Sequence, residues 1–131
     1  MNFKALCEYV ADSGIGLTTG RNLFINQAPI TSEPIVALFK QPNAGAEIDP
    51  ELIGRRRGRF QLVVRADEHE AGEAIAKQLS ELLTMVETPL NGILVRSLRP
   101  LHEPVSYAVS VGNKIEFSVN FYWIYDIVES K

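Results

Sequence analysis

The sequence has a single cysteine, Cys7, and only two histidines, His69 and His102, among its 131 residues. One thiol forms no intramolecular disulfide and cannot build a thiolate zinc site within one chain, so Cys7 reads as a small core residue. Long apolar runs are missing as well. No stretch approaches the roughly 20 residues that cross a bilayer, and the opening MNFKALCEYVADSG lacks the apolar centre of a secretory signal. These absences point to a soluble protein of a reducing compartment with no membrane partner.

Positive charge is scarce outside one place. Lys and Arg number 13 against 16 Asp and Glu, for a net charge of −3. Four of those cations, Arg55, Arg56, Arg57 and Arg59, crowd into the stretch IGRRRGRFQLVVR, and without them nine cations face sixteen acids. A protein that tracks nucleic-acid phosphates carries a broad basic face, because each neutralised phosphate needs its own cation. Here the basic feature is local and the body is acidic.

The length fits one domain, and an apolar fraction of 46% with six Phe, four Tyr and one Trp suffices for a core. Phe3, Leu6, Cys7 and Val10 share one face of a helix over 3–12, which Gly14 suits as a left-handed cap. The glycines of GIGLTTG follow a helix rather than a strand, and their spacing is not that of a phosphate-binding loop. Leu23–Ile25 reads as a short strand. Ile35–Phe39, with no polar alternation, reads as a central strand buried on both faces.

From 40 to 58 the chain carries two prolines and three glycines and reads as a long loop or arm. Phe60, Leu62 and Val64 then alternate with a mixed face that includes Arg59 and Arg65. Asp67 fits a helix N-cap, with Glu70 completing a capping box. The stripe Ala71, Ile75, Leu79, Leu82 and Val86 predicts about five helical turns, closed by Pro89 and Asn91-Gly92. Strands follow at 93–95, 105–109 and 115–125, the last two joined as an antiparallel hairpin through Gly112-Asn113. The fold class is α+β: a mainly antiparallel sheet with two helices packed on one face, plus an arm at about 40–58.

No residue pattern asks for catalysis. His69 falls in the first turn of a helix and His102 in a proline-flanked loop, neither beside an identifiable nucleophile. Asp67, Glu68, Glu70 and Glu73 crowd a helix start, as the helix dipole favours, which accounts for them without a metal. P-loop, H-E-x-x-H, G-x-S-x-G and EF-hand signatures are missing. The sequence therefore reads as a non-enzyme without cofactor or metal.

Phe117, Phe121, Trp123 and Tyr125 alternate as core positions, since 115–126 offers no cation to accompany stacked bases. Three readings of the arginine cluster stay open: a solvated charge run, a contact with DNA, or an arm that pairs with carboxylates of a neighbouring subunit.

The whole layout resembles a known family. An N-terminal helix, the short strand LFIN, the central strand IVALF and a long arm precede a strand ending in VRAD (Val64 to Asp67) and a long amphipathic helix. The chain closes with FSVNFYWIYD, containing SVNF (Ser118 to Phe121). Over nearly the full length this resembles the tail terminator or minor tail and capsid proteins of long-tailed bacteriophages.

The resemblance implies a non-enzymatic subunit of a hexameric ring that caps the tail tube and joins tail to head. Its implied partners are further copies of itself, the tail tube protein and head–tail connector proteins, with DNA passing through the bore. Its implied place is the virion tail, after assembly in the host cytoplasm. By position, 41–58 would be an arm that becomes ordered against a neighbour. Arg55, Arg56, Arg57 and Arg59 would stand at a subunit interface or the DNA channel. The alternative is a small nucleic-acid-binding or nucleic-acid-processing domain that uses the same arginines.

Overall fold

A computed structural model of the chain describes residues 3–27, 33–40, 46–107 and 114–128. Helix α1 (Phe3–Asp12) is followed by strands β1 (Leu23–Ile25), β2 (Ile35–Lys40), β3 (Glu47–Ile48) and β4 (Arg55–Ala66). Helix α2 (His69–Leu82) then leads to β5 (Met85–Leu90), β6 (Ile93–Pro100), β7 (Val105–Tyr107) and β8 (Ile115–Ile127). The expected turn at Gly112-Asn113 lies outside the described residues.

The strands form one eight-stranded sheet in the order β1-β2-β4-β8-β6-β5, with β3 beside β4 and β7 beside β8. The α+β class holds, but the sheet is mixed, because β1 runs parallel to β2 while the other pairings are antiparallel. Its spine is the β4–β8 ladder, in register from Arg55↔Asp126 to Ala66↔Ile115.

Period-two alternation along that spine sends Phe60, Leu62 and Val64 of β4, with Phe117, Val119, Phe121 and Trp123 of β8, into the core. Phe3 of α1 lies on them, its ring centroid 5.8 Å from Phe39, 5.4 Å from Phe60 and 6.3 Å from Trp123. Aromatic pairs at such distances add about 0.5–1.5 kcal/mol each beyond the area they bury. α2 reaches the same side of the sheet through Gly72. A Cβ there would stand 2.5 Å from Cε1 of Phe117 and 2.8 Å from Cβ of Ala66, so hydrogen alone permits the close approach.

β2 is an inner strand, and Val36 and Leu38 are as buried as Ala37 and Phe39. The GIGLTTG segment wraps around the buried Asn22. Its Oδ1 accepts from the Thr18 N–H at 2.6 Å and its Nδ2 donates to the Gly16 carbonyl at 3.1 Å. The glycines serve that turn.

Four local expectations are corrected. Asp67 does not cap α2: Glu68 is the N-cap residue, without a side-chain cap bond, and Asp67 instead accepts from Nζ of Lys114 at 2.7 Å. Lys114 is only 8% exposed, and an ammonium so desolvated needs a carboxylate more than a helix end needs one. α2 also stops at Leu82 instead of running through Val86, which is 71% exposed. Asn91-Gly92 closes no helix. It is the turn of the β5–β6 hairpin, with Gly92 at φ 82°, a left-handed conformation that favours glycine. Finally, the span 40–58 contains strand: β3 pairs with the start of β4, and Arg55–Gly58 belong to β4.

Candidate assembly surface: the arginine hairpin

The sequence Asp49-Pro50-Glu51-Leu52-Ile53-Gly54 forms the turn between β3 and β4, and Asp49 organises it. Its Oδ1 accepts from the backbone N–H groups of Glu51 at 2.8 Å and Leu52 at 2.9 Å, an Asx-type closure. Its Oδ2 accepts from Nη2 of Arg57. The Leu52 and Glu51 amides, then the Arg57 guanidinium, hold the Asp49 carboxyl below the usual carboxylate range. Backbone bonds from Asp49 N to Arg55 O, at 3.1 Å, and from Arg55 N to Leu52 O, at 2.7 Å, complete the turn. The Ile127 N–H donates to the Gly54 carbonyl at 2.8 Å and ties the turn to the end of β8.

Because the arginines are in a strand, they separate by parity. Arg55, Arg57 and Arg59 project from the face opposite the helices, whereas Arg56 shares the alternation of Phe60 and Leu62. Arg55 faces Asp126 across the ladder and binds it at two points, Nε to Oδ1 at 2.8 Å and Nη2 to Oδ2 at 3.2 Å. Asp126 also accepts from Nε of Arg96 at 2.7 Å, and Nη1 of Arg96 reaches Glu87 at 2.7 Å. The hydrogen bond from Arg55, followed by that from Arg96, lowers the Asp126 pKa to about 2.

Arg57 is paired with Asp49 and, farther along, Arg65 with Glu116 at 3.2 Å. Arg59 stands beside Tyr122, with Arg99 on Tyr122's other side, and neither arginine has a carboxylate among the described residues. Among the described residues Arg56 donates to the backbone carbonyls of Ile53 and Arg55 and to no carboxylate.

Asp49, Glu87, Arg96, Arg99 and Asp126 were not legible as members of this surface. Asp126 is 71 residues from Arg55, and only the strand register joins them. The alternation in FSVNFYWIYD does place Asp126 opposite the core positions, which is the one signal that could have found it.

The hairpin end is also where aliphatic side chains stay in water. Ile48, Leu52, Ile53, Ile127 and Val128 are 57%, 51%, 77%, 49% and 50% exposed, although the turn that carries Leu52 and Ile53 is fully braced. Elsewhere on the surface an open cleft of about 430 Å³ lies between the last turns of α2 and residues 100–104.

The other sequence candidates are structural. His69 is exposed at the start of α2 and meets Phe117 edge-on, ring centroids 5.2 Å apart. His102 repairs the ladder where β8 changes neighbour from β6 to β7: its Nε2 accepts from the Asn120 backbone N–H at 3.1 Å, and its Nδ1 lies 2.7 Å from the Glu103 carbonyl. A side chain thus supplies the acceptor that a strand would. Among the described residues, Asp67, Glu68, Glu70 and Glu73 form no group of three or more ligands able to hold a metal. Buried Cys7 has its thiol pushed up to about 11 by desolvation and then by Glu8.

Comparison with known proteins accords with a structural role. No curated protein matches the chain. A chain from a solved structure described as "Virion of native gene transfer agent (GTA) particle" shares the fold, with TM-score 0.57 and 13% identity, over 82% of this chain and 80% of that one. The family described as "Bacteriophage tail terminator protein" matches residues 9–127, from within α1 to the last residue of β8. The chain therefore belongs to the bacteriophage tail terminator family, which makes it a structural protein of the virion tail.

Proposed function

We propose that this protein closes the tail tube as a ring of identical subunits, provides the surface to which the head joins, and makes its subunit contacts through the arginine hairpin. The observation that carries this reading is a braced turn that presents aliphatic side chains to water in a member of the tail terminator family. Aliphatic side chains gathered at one end of the sheet and held out of the core by an ordered turn suit a contact surface. The ring is a hexamer, with the tail tube protein and head–tail connector proteins as its neighbours and the DNA path through its bore. Assembly takes place in the host cytoplasm.

Native mass spectrometry at rising concentration, with and without tail tubes, tests the ring. A closed oligomer of one size is expected, and a monomer under every condition would sink the proposal. Tails assembled without this protein should also fail to join heads.

One observation favours a second role for the same subunit. Arg59 and Arg99, flanking Tyr122 on the outer face without carboxylates among the described residues, suit phosphate contacts. Salt-sensitive binding of short duplex DNA that disappears on replacing both arginines with Ala, while the oligomer is unchanged, would establish it.

A further inference from the structure

We infer that Leu52 and Ile53 form a knob that docks into the cleft between α2 and residues 100–104 of a second copy of this chain. The inference rests on the ring reading and names the two surfaces that meet.

The knob is prepared for a partner. Leu52 and Ile53 are 51% and 77% exposed, yet Asp49, the Arg55–Leu52 backbone bond and the Gly54–Ile127 tie fix the turn that holds them. Order imposed before contact reduces the conformational entropy lost on binding, and apolar groups so presented gain by leaving water. Ile48 and Ile127 lie at the same end of the sheet and widen the apolar area.

The cleft has matching chemistry. Pro100, Leu101 and Pro104 give it apolar walls, and its volume of about 430 Å³ has room for two aliphatic side chains. Glu81 and Glu103 also line it, and neither carboxylate has an ion pair among the described residues. Its one ammonium, on Lys77, is engaged by Glu73 at 3.2 Å. On the knob side Arg56 stands next to Ile53, bonded among the described residues to backbone carbonyls only, with N–H groups left for a carboxylate.

An apolar knob beside an uncommitted cation, and an apolar cleft beside two uncommitted anions, occur on the same chain. That complementarity identifies the occupant as a second copy. Knob and cleft are different patches, so the contact is heterologous: each subunit fills its neighbour's cleft and leaves its own for the next, which closes a ring when the rotation permits.

Cross-linking tests the pairing in the full chain. Two preparations carrying Cys7→Ala are made, one with Ile53→Cys and one with Ser80→Cys. Mixed under mild oxidation they should yield a disulfide-linked dimer far above the level of either alone. In parallel, Leu52→Ser/Ile53→Ser should melt like the parent at concentrations where both are monomeric and should weaken subunit association roughly tenfold or more. A parent that never assembles removes the ring reading and this inference together. A parent that forms rings without the mixed cross-link, or with the double-serine variant assembling equally well, overturns the knob and cleft alone.

Discussion

One pair of strands behaves as two materials. Over β4 residues 60–66 the ladder with β8 lies under the helices, and Phe60, Leu62, Val64 and Ala66 each turn a buried side chain inward. Over 55–59 the same ladder continues in unbroken register, yet β4 contributes no apolar side chain at all, only four arginines and a glycine. The first half is held by burial, the second by Asp126 and Asp49 acting on guanidinium groups. Burial is non-directional and scales with the area removed from water, whereas ion pairs this exposed contribute little each and fix geometry. The distal half is therefore not a continuation of the core. It is a bracket that holds the Leu52–Ile53 turn in place.

The largest effect is expected at Phe60. Its ring is 2% exposed, stacks on Phe121 with centroids 5.1 Å apart, and meets Phe3, Phe39 and Trp123. Phe60→Ala should cost about 3–5 kcal/mol, the usual range for a phenylalanine removed from a packed core. Chemical denaturation would show it as a large fall in midpoint at unchanged slope. A loss below about 1 kcal/mol, the size expected of a surface site, would mean that the two halves are not different in kind.

A smaller effect is expected at Gly72, where the core half meets α2. Alanine gains about 1 kcal/mol of helix propensity over glycine, but its methyl would lie 2.5 Å from the Phe117 ring and 2.8 Å from Cβ of Ala66. Overpacking of that kind costs about 1–3 kcal/mol, so Gly72→Ala should destabilise by roughly 1–2 kcal/mol net. Thermal melting of the variant that rose above the parent would show that α2 can ride away from the sheet freely.

How far the sequence foretold this division depends on the range of the forces involved. The apolar alternation of Phe60–Val64 and of Phe117–Tyr125 is local, and it located both spine strands and their core face. The helix over 3–12 was equally legible from one face of apolar residues. Val86 continued the apolar spacing of α2 past its real end, so β5 was hidden inside a helical pattern. Only the pairing with β6 around Asn91-Gly92 decides for a strand there. The arginines of 55–59 carry no strand signal of their own, since their strand state comes from β8. The carboxylates that bind them lie 71 residues away for Arg55 and 8 for Arg57, on elements whose register a single sequence does not reveal. Likewise Asp67 had a sound local role as a cap, and a buried Lys114 reached from 47 residues away overrode it.

The finest test separates the halves by pH. With its pKa lowered to about 2 from the ordinary 3.8, Asp126 binds fewer protons in the folded chain than in the unfolded one. Its contribution is therefore fully present above the ordinary carboxylate range and is lost as pH falls from about 4 through about 2. The side chain is 21% exposed, so after allowance for solvent screening that contribution is about 1 kcal/mol. On acidification the protection factors, each taken against the intrinsic exchange rate at that pH, should then fall first at Arg55–Gly58 and Ile124–Ile127, so that these amides become fast for their pH while Phe60–Val64 stays protected. Asp126→Asn should show the fast pattern already at neutral pH, because an amide leaves Arg55 and Arg96 side by side with no charge between them. Uniform exchange across β4 in acid, or an unchanged pattern in the variant, would mean that the core half holds the hairpin by itself and the arginine network is incidental to it.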